Sequence, residues 1–98
     1  MPELDKLIHE RTRLLILTHL ASQEKTEISF NELQGELGLT SGNLSIQLKK
    51  LKNAKYIRIK KTFKENKPFT TVSITVQGTT ALTEYLNEMK GPIKTFKK

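Results

Sequence analysis

Asn43, Ser45, Ile46 and Gln47, followed by Lys49 and Lys50, are the densest grouping of side chains in this chain able to contact another molecule. The two amides and the hydroxyl can meet the donors and acceptors on base edges, isoleucine suits a thymine methyl, and ammonium groups suit phosphate oxygens. Nine basic side chains lie between Ser41 and Lys67: Lys49, Lys50, Lys52, Lys55, Arg58, Lys60, Lys61, Lys64 and Lys67. Glu65 alone opposes them, so this stretch carries +8 in a molecule whose total is +7. A positive field this concentrated is the footprint of a surface that docks on a polyanion, and nucleic acid is the leading candidate.

Bond-making chemistry finds no support. His9 and His19 lie nearly three turns apart on an expected helix, too far to share a metal ion. With no cysteine there is no disulfide, thiolate ligand or thiol nucleophile. Ser45 and Thr40 have no base nearby in sequence, and no phosphate-binding glycine loop is present. Neither an enzyme, a metal site nor a cofactor is expected. The acidic start, Met-Pro-Glu-Leu-Asp, has no apolar run behind it, so a cytoplasmic protein without a signal peptide or membrane span is expected. At 98 residues the chain has room for one domain with a modest core, and such a unit gains much from pairing with a second copy.

The elements that would hold these side chains follow from periodicity. A first helix is expected over residues 4–21, with apolar residues on more than one side. It is either a central core helix, or one with Leu15 and its neighbours on the domain and another side on a partner. Ser29 and Glu32 form a capping box flanked by Ile28 and Leu33, and Gly38 supplies the positive φ that ends the short helix after Leu37. Thr40 caps the next helix, on which Leu44, Leu48 and Leu51 share one arc while Gly42, Asn43, Ile46, Lys49, Lys50 and Asn53 lie opposite. Ser41 and Gly42 leave that helix start open to a phosphate.

Alternation then replaces helical spacing. Ile57, Ile59 and Phe63 share one side of a strand, and Val72 and Ile74 are the apolar pair of a second, with residues 64–68 as the turn. The result is a two-stranded ribbon with a basic tip formed by Lys60, Lys61, Lys64 and Lys67. A last helix, capped by Thr75, is expected to run to Lys90, with Gly91 and Pro92 ending it and residues 91–98 as a loose tail.

The order helix, short helix, recognition helix and basic hairpin resembles a winged helix-turn-helix transcriptional regulator. TSGNLSIQLKKLKNAKYI (residues 40–57) is similar to the recognition-helix segment of the MarR and ArsR-type superfamily, especially its small single-domain members. TVQGTTAL (residues 75–82) resembles the stretch that follows the wing. The resemblance implies an α+β, mostly helical fold with a three-helix core, a wing over residues 57–76 and a C-terminal dimerisation helix. It also implies a homodimer on double-stranded DNA, with the helix from Ser41 in the major groove and the Lys60 to Lys67 wing on backbone or minor groove. Lys55 stands where such proteins often carry glycine.

DNA contacts are thus expected from Thr40, Ser41, Gly42, Asn43, Ser45, Ile46, Gln47, Lys49, Lys50, Lys60, Lys61, Lys64 and Lys67. The dimer interface is expected from Leu4, Leu7, Ile8, Leu82, Tyr85, Leu86 and Met89, which would set half-sites roughly 34 Å apart. A winged helix can instead serve as a protein-interaction or RNA-binding module. Against these stand the charge on the expected recognition helix and wing, and the reading of Tyr56, Phe63 and Phe69 as core or hairpin residues rather than stacking platforms.

Overall fold

A computed structural model describes the backbone of residues 5–96 and the side chains of residues 5–89. The elements run α1 (Arg11–Ser22), β1 (Ile28–Ser29), α2 (Phe30–Leu37), α3 (Ser41–Asn53), β2 (Ile57–Lys64), β3 (Lys67–Ile74) and α4 (Val76–Phe96). Together they make the α+β, mostly helical winged-helix arrangement expected from the sequence. Its core joins Ile16, Leu17 and Leu20 of α1, Leu33 of α2, Leu44, Leu48 and Leu51 of α3, Ile57 and Val72 of the sheet, and Leu82 and Tyr85 of α4.

The first helix starts later than its apolar pattern suggested. Glu10 is its N-cap, the carboxylate accepting from the Arg13 amide at 3.0 Å, and the preceding residues form a turn closed by Asp5, whose carboxylate accepts from the Leu7 amide at 2.9 Å. The turn folds Ile8 into the core, where it is fully buried. Leu15 faces solvent rather than the domain, because at about 100° per residue the arc of Ile16, Leu17 and Leu20 leaves it on the far side.

Half of the capping box forms. Ser29 Oγ accepts from the Glu32 amide at 3.1 Å, but the Glu32 carboxylate turns to Lys25 at 3.7 Å, and Ser29 belongs to a strand. That strand, β1, pairs antiparallel with β3, making a three-stranded sheet of order β1-β3-β2 where a two-stranded ribbon was expected. Two residues are too short to show alternation in a sequence. Ile28 and Leu33 are both buried, as the staple reading requires.

The hairpin turn is tighter than residues 64–68. Glu65 and Asn66, both at positive φ (53° and 65°), form a two-residue connection of the I′ type, between Lys64 and Lys67, which pair across the ladder. Pro68 therefore lies inside β3, opposite Phe63; β1 reaches only Thr71 and Val72, so Pro68 occupies an unpaired edge where a missing amide is tolerated.

The exit from α3 fixes the angle between helix and sheet. The Tyr56 amide donates to the Leu51 carbonyl at 3.0 Å and the Lys55 amide to the Lys52 carbonyl at 2.9 Å, the paired bonds of a Schellman turn. Lys55 sits at φ 67°, a conformation glycine adopts without strain and lysine does not. Thr75 ties the start of α4 to the same turn, its hydroxyl donating to the Lys55 carbonyl at 2.7 Å and accepting from the Gly78 amide at 2.9 Å. Gly78 is needed here, since a Cβ would stand 2.1 Å from the Tyr56 carbonyl oxygen. The Tyr56 hydroxyl, in turn, donates to the Asp5 carboxylate at 2.5 Å.

α4 continues to Phe96, through Gly91 and Pro92, instead of ending there.

Lys55→Gly is expected to raise stability by about 1 kcal/mol in a denaturant titration, relieving the left-handed strain. Gly78→Ala is expected to lower it by about 1–3 kcal/mol, because the added methyl meets backbone and not a movable side chain. The Tyr56 phenol is pushed up to about 12 from its ordinary 10.0, first by the hydrogen bond to Asp5 and then by burial. The unfolded chain releases that proton at lower pH, so the stability from this bond is complete below about pH 10 and lost as pH rises toward 12. The gap in melting temperature between the native chain and Tyr56→Phe should close over that window.

Candidate nucleic-acid interface

Burial of Leu44, Leu48 and Leu51 sets which side of α3 faces outward. Thr40 Oγ1 accepts from the Asn43 amide at 3.1 Å, so this hydroxyl caps the helix, and Ser41 and Gly42 are exposed just beyond it. Ile46 lies on the outermost strip at 56% exposure, with Lys49 and Lys50 exposed in the turn below.

The flank nearer the sheet opens into a cleft of about 500 Å³. Phe30, Leu48 and Ile59 form its apolar floor; Ser45, Lys49 and Lys52 from α3 and Lys61 from β2 line its polar rim. The helix and the hairpin thus bring three ammonium groups to one groove. Lys52, absent from the expected contacts, belongs to this set; its position on the border of the α3 apolar arc was the available signal.

The strand pleat separates two lysines that were expected to act alike. Successive side chains point to opposite faces, so Lys61 shares the face of Ile57 and Ile59 while Lys60 and Lys64 share the other. Lys64 Nζ stands 5.0 Å from the centre of the Phe69 ring, a cation–π contact within the wing. Lys67 is exposed beside the turn, and Phe63 is 77% exposed near the tip, beyond the reach of the core.

The opposite flank of α3 meets α1. Arg13 donates through Nη1 to Gln47 Oε1 at 2.8 Å and through Nε to the Leu7 carbonyl at 2.6 Å, while Gln47 Nε2 donates to Asn43 Oδ1 at 3.2 Å. Gln47 is therefore half-buried and engaged on both sides of its amide, in place of the free base-reading side chain expected from the sequence. Arg13 was not singled out from the sequence, because its neighbours on α1 gave no sign that it reaches a helix more than thirty residues away.

Of the nine basic side chains between Ser41 and Lys67, all are exposed, and none forms an ion pair among the described residues. The ion pairs that do form lie elsewhere, as between Lys25 and Glu32 at 3.7 Å.

The residues expected at a dimer interface divide into two groups. Ile8, Leu82 and Tyr85 are buried in the chain's own core, with Tyr85 Oη also 2.8 Å from His9 Nδ1, and Leu7 packs against that core. Ile8, Leu82 and Tyr85 are corrected to core residues, since one subunit already covers them, while Leu7 is half-buried. Leu86 and Met89 stay 39% and 46% exposed, and Leu15 is exposed on α1. Leu4 lies outside the described residues. Among the described residues no cluster of three or more His, Cys, Asp or Glu could hold a metal ion, and no helix is long and apolar enough to cross a membrane.

Comparison with known proteins agrees with this geometry. Residues 12–93 match the family model described as a winged helix DNA-binding domain. An uncharacterised protein of Methanocaldococcus jannaschii is 34% identical over 84 residues, covering 86% of this chain and 89% of its own. A transcriptional regulator homologue from Pyrococcus horikoshii OT3 superposes with a TM-score of 0.82 at 26% identity, covering 92% of this chain and 87% of that one. AbsC, a MarR family transcriptional regulator from Streptomyces coelicolor, shares the fold at a TM-score of 0.68 and 17% identity, over 80% of this chain and 52% of its own. A helix with an outward polar face, a basic hairpin beside it and a family match spanning both make the chain a member of the winged helix DNA-binding domain family.

Proposed function

We propose that the chain is a single-domain, sequence-specific regulator of transcription that binds double-stranded DNA as a homodimer. The observation that carries this reading is the set of nine exposed cations on α3 and the hairpin, none of them paired with a carboxylate among the described residues. Unpaired like charges repel one another, and a surface that keeps them gathered is stabilised by a polyanion. α3 enters the major groove, where Asn43, Ser45 and Ile46 meet base edges while Thr40, Ser41 and Gly42 bring the capped helix start against the backbone. Lys49, Lys50 and Lys61 take phosphates, with Lys52 completing the cleft, and Lys60, Lys64 and Lys67 extend the contact along the wing. The activity is binding without catalysis, in the cytoplasm.

Dimerisation falls to the apolar residues that one subunit leaves open. Met89 continues the stripe of Leu82 and Tyr85 along α4 beyond the point where the core covers it, and Leu86 flanks that stripe. A second copy would bury both.

Titration of a palindromic duplex should show affinity falling roughly 10³-fold or more between 50 and 200 mM salt, the response of a dimer neutralising about six or more phosphates. Lys61→Ala should weaken every duplex alike and flatten that slope by about two, one phosphate contact being lost in each subunit. Lys60→Ala, on the other face of the ribbon, should do so less. Failure to bind any duplex at low salt would refute the assignment. In light scattering the native chain should run at twice 11.2 kDa, and Leu86→Glu with Met89→Glu at the monomer mass. A native chain that is already monomeric at micromolar concentration would remove the dimer.

A further inference from the structure

Arg13 is a member of no charged patch, yet its side chain is only 11% exposed and ends against the amide of Gln47 on the recognition helix. A guanidinium can only donate hydrogen bonds, so the Gln47 atom 2.8 Å from Nη1 is necessarily the carbonyl oxygen. That choice turns the Gln47 nitrogen the other way, toward Asn43 one turn earlier. The Asn43 atom 3.2 Å from it must then accept, which makes it Oδ1. One residue on α1 thereby sets the orientation of two successive amides, holding Asn43 Oδ1 toward Gln47 with one of its two lone pairs engaged and leaving both N–H donors of Asn43 Nδ2 unengaged among the described residues.

We infer that the chain Arg13 to Gln47 to Asn43 is a one-way hydrogen-bond relay that presents Asn43 through its donor side, so that it favours guanine, whose N7 and O6 both accept, or thymine O4, over adenine, whose N7 acceptor lies beside the N6 donor. This rests on the proposed DNA-binding role of α3. A free asparagine reads adenine by accepting from N6 and donating to N7 at once. Here the bond from Gln47 holds the oxygen to one side and turns the donor pair away from it, which suits guanine N7 and O6, both acceptors, or thymine O4. Arg13 is a positioning residue in this scheme, acting on DNA only through its neighbours. Its second bond, from Nε to the Leu7 carbonyl at 2.6 Å, braces the guanidinium against the turn before α1 and keeps it from following Gln47 outward.

Gln47→Glu separates the relay from mere packing. The carboxylate still accepts from Arg13, but its second oxygen can only accept from Asn43, so the Asn43 amide must turn over and present Oδ1 outward. Selection of bound duplexes from a random pool, done in parallel for the native chain, Asn43→Ala, Gln47→Glu and Arg13→Met, tests this. One position should lose its preference in Asn43→Ala. At that position the native chain should favour a keto base, guanine or thymine, over adenine by about tenfold on the contacted strand. Gln47→Glu should swap the favoured base between keto and amino types, whatever its overall affinity, and Arg13→Met should flatten the preference. If the native chain binds duplexes selectively and Gln47→Glu keeps the same favoured base, or no position depends on Asn43, the relay is overturned while the DNA-binding role stands. If the native chain binds no duplex, both fall together. Because Gln47→Glu preserves the Arg13 contact, the outcome does not depend on Arg13→Met folding normally.

Discussion

Burial of Leu44, Leu48 and Leu51 along one arc of α3 is the constraint from which the rest of the surface follows. Three leucines removed from water contribute several kcal/mol together, enough to hold one face of the helix inward against the repulsion among the lysines on the other. Once that face is fixed, the positions of Ser45, Ile46, Lys49 and Lys50 follow from helix geometry alone. The Schellman turn at Lys55 carries the constraint onward, because it fixes the direction in which β2 leaves and hence where Lys61 arrives.

The two flanks of α3 have different jobs in this picture. On the sheet side, cations from two elements converge over an apolar floor, an arrangement suited to a phosphate run and indifferent to sequence. On the α1 side there are no convergent cations, but an ordered set of hydrogen bonds from Arg13 through Gln47 to Asn43. The proposed role thus draws affinity and selectivity from opposite sides of one helix.

Much of this was legible in the sequence because it rests on local rules. The caps at Ser29, Thr40 and Thr75, the positive φ at Gly38, the buried arc of α3 and the basic hairpin are each decided by residues within one or two turns of one another. What was misread depends on contacts between distant segments. Ile8, Leu82 and Tyr85 looked like spare apolar surface until the turn at Asp5 folded the chain's start back onto α4. β1 was too short to show a period, and Gln47 looked free because its partner, Arg13, is on another helix. The Lys60 and Lys61 difference was available from alternation, yet their shared charge obscured it.

In the proposed complex α3 and the wing form a single contact with duplex DNA. Mapping backbone amide NMR shifts on titration with a short duplex tests it directly. The changes should cluster in residues 40–53 and 58–70, with the surfaces of α2 and the far side of α1 unmoved. Changes confined to α1, α2 or α4, or spread evenly over the molecule at low salt, would contradict it.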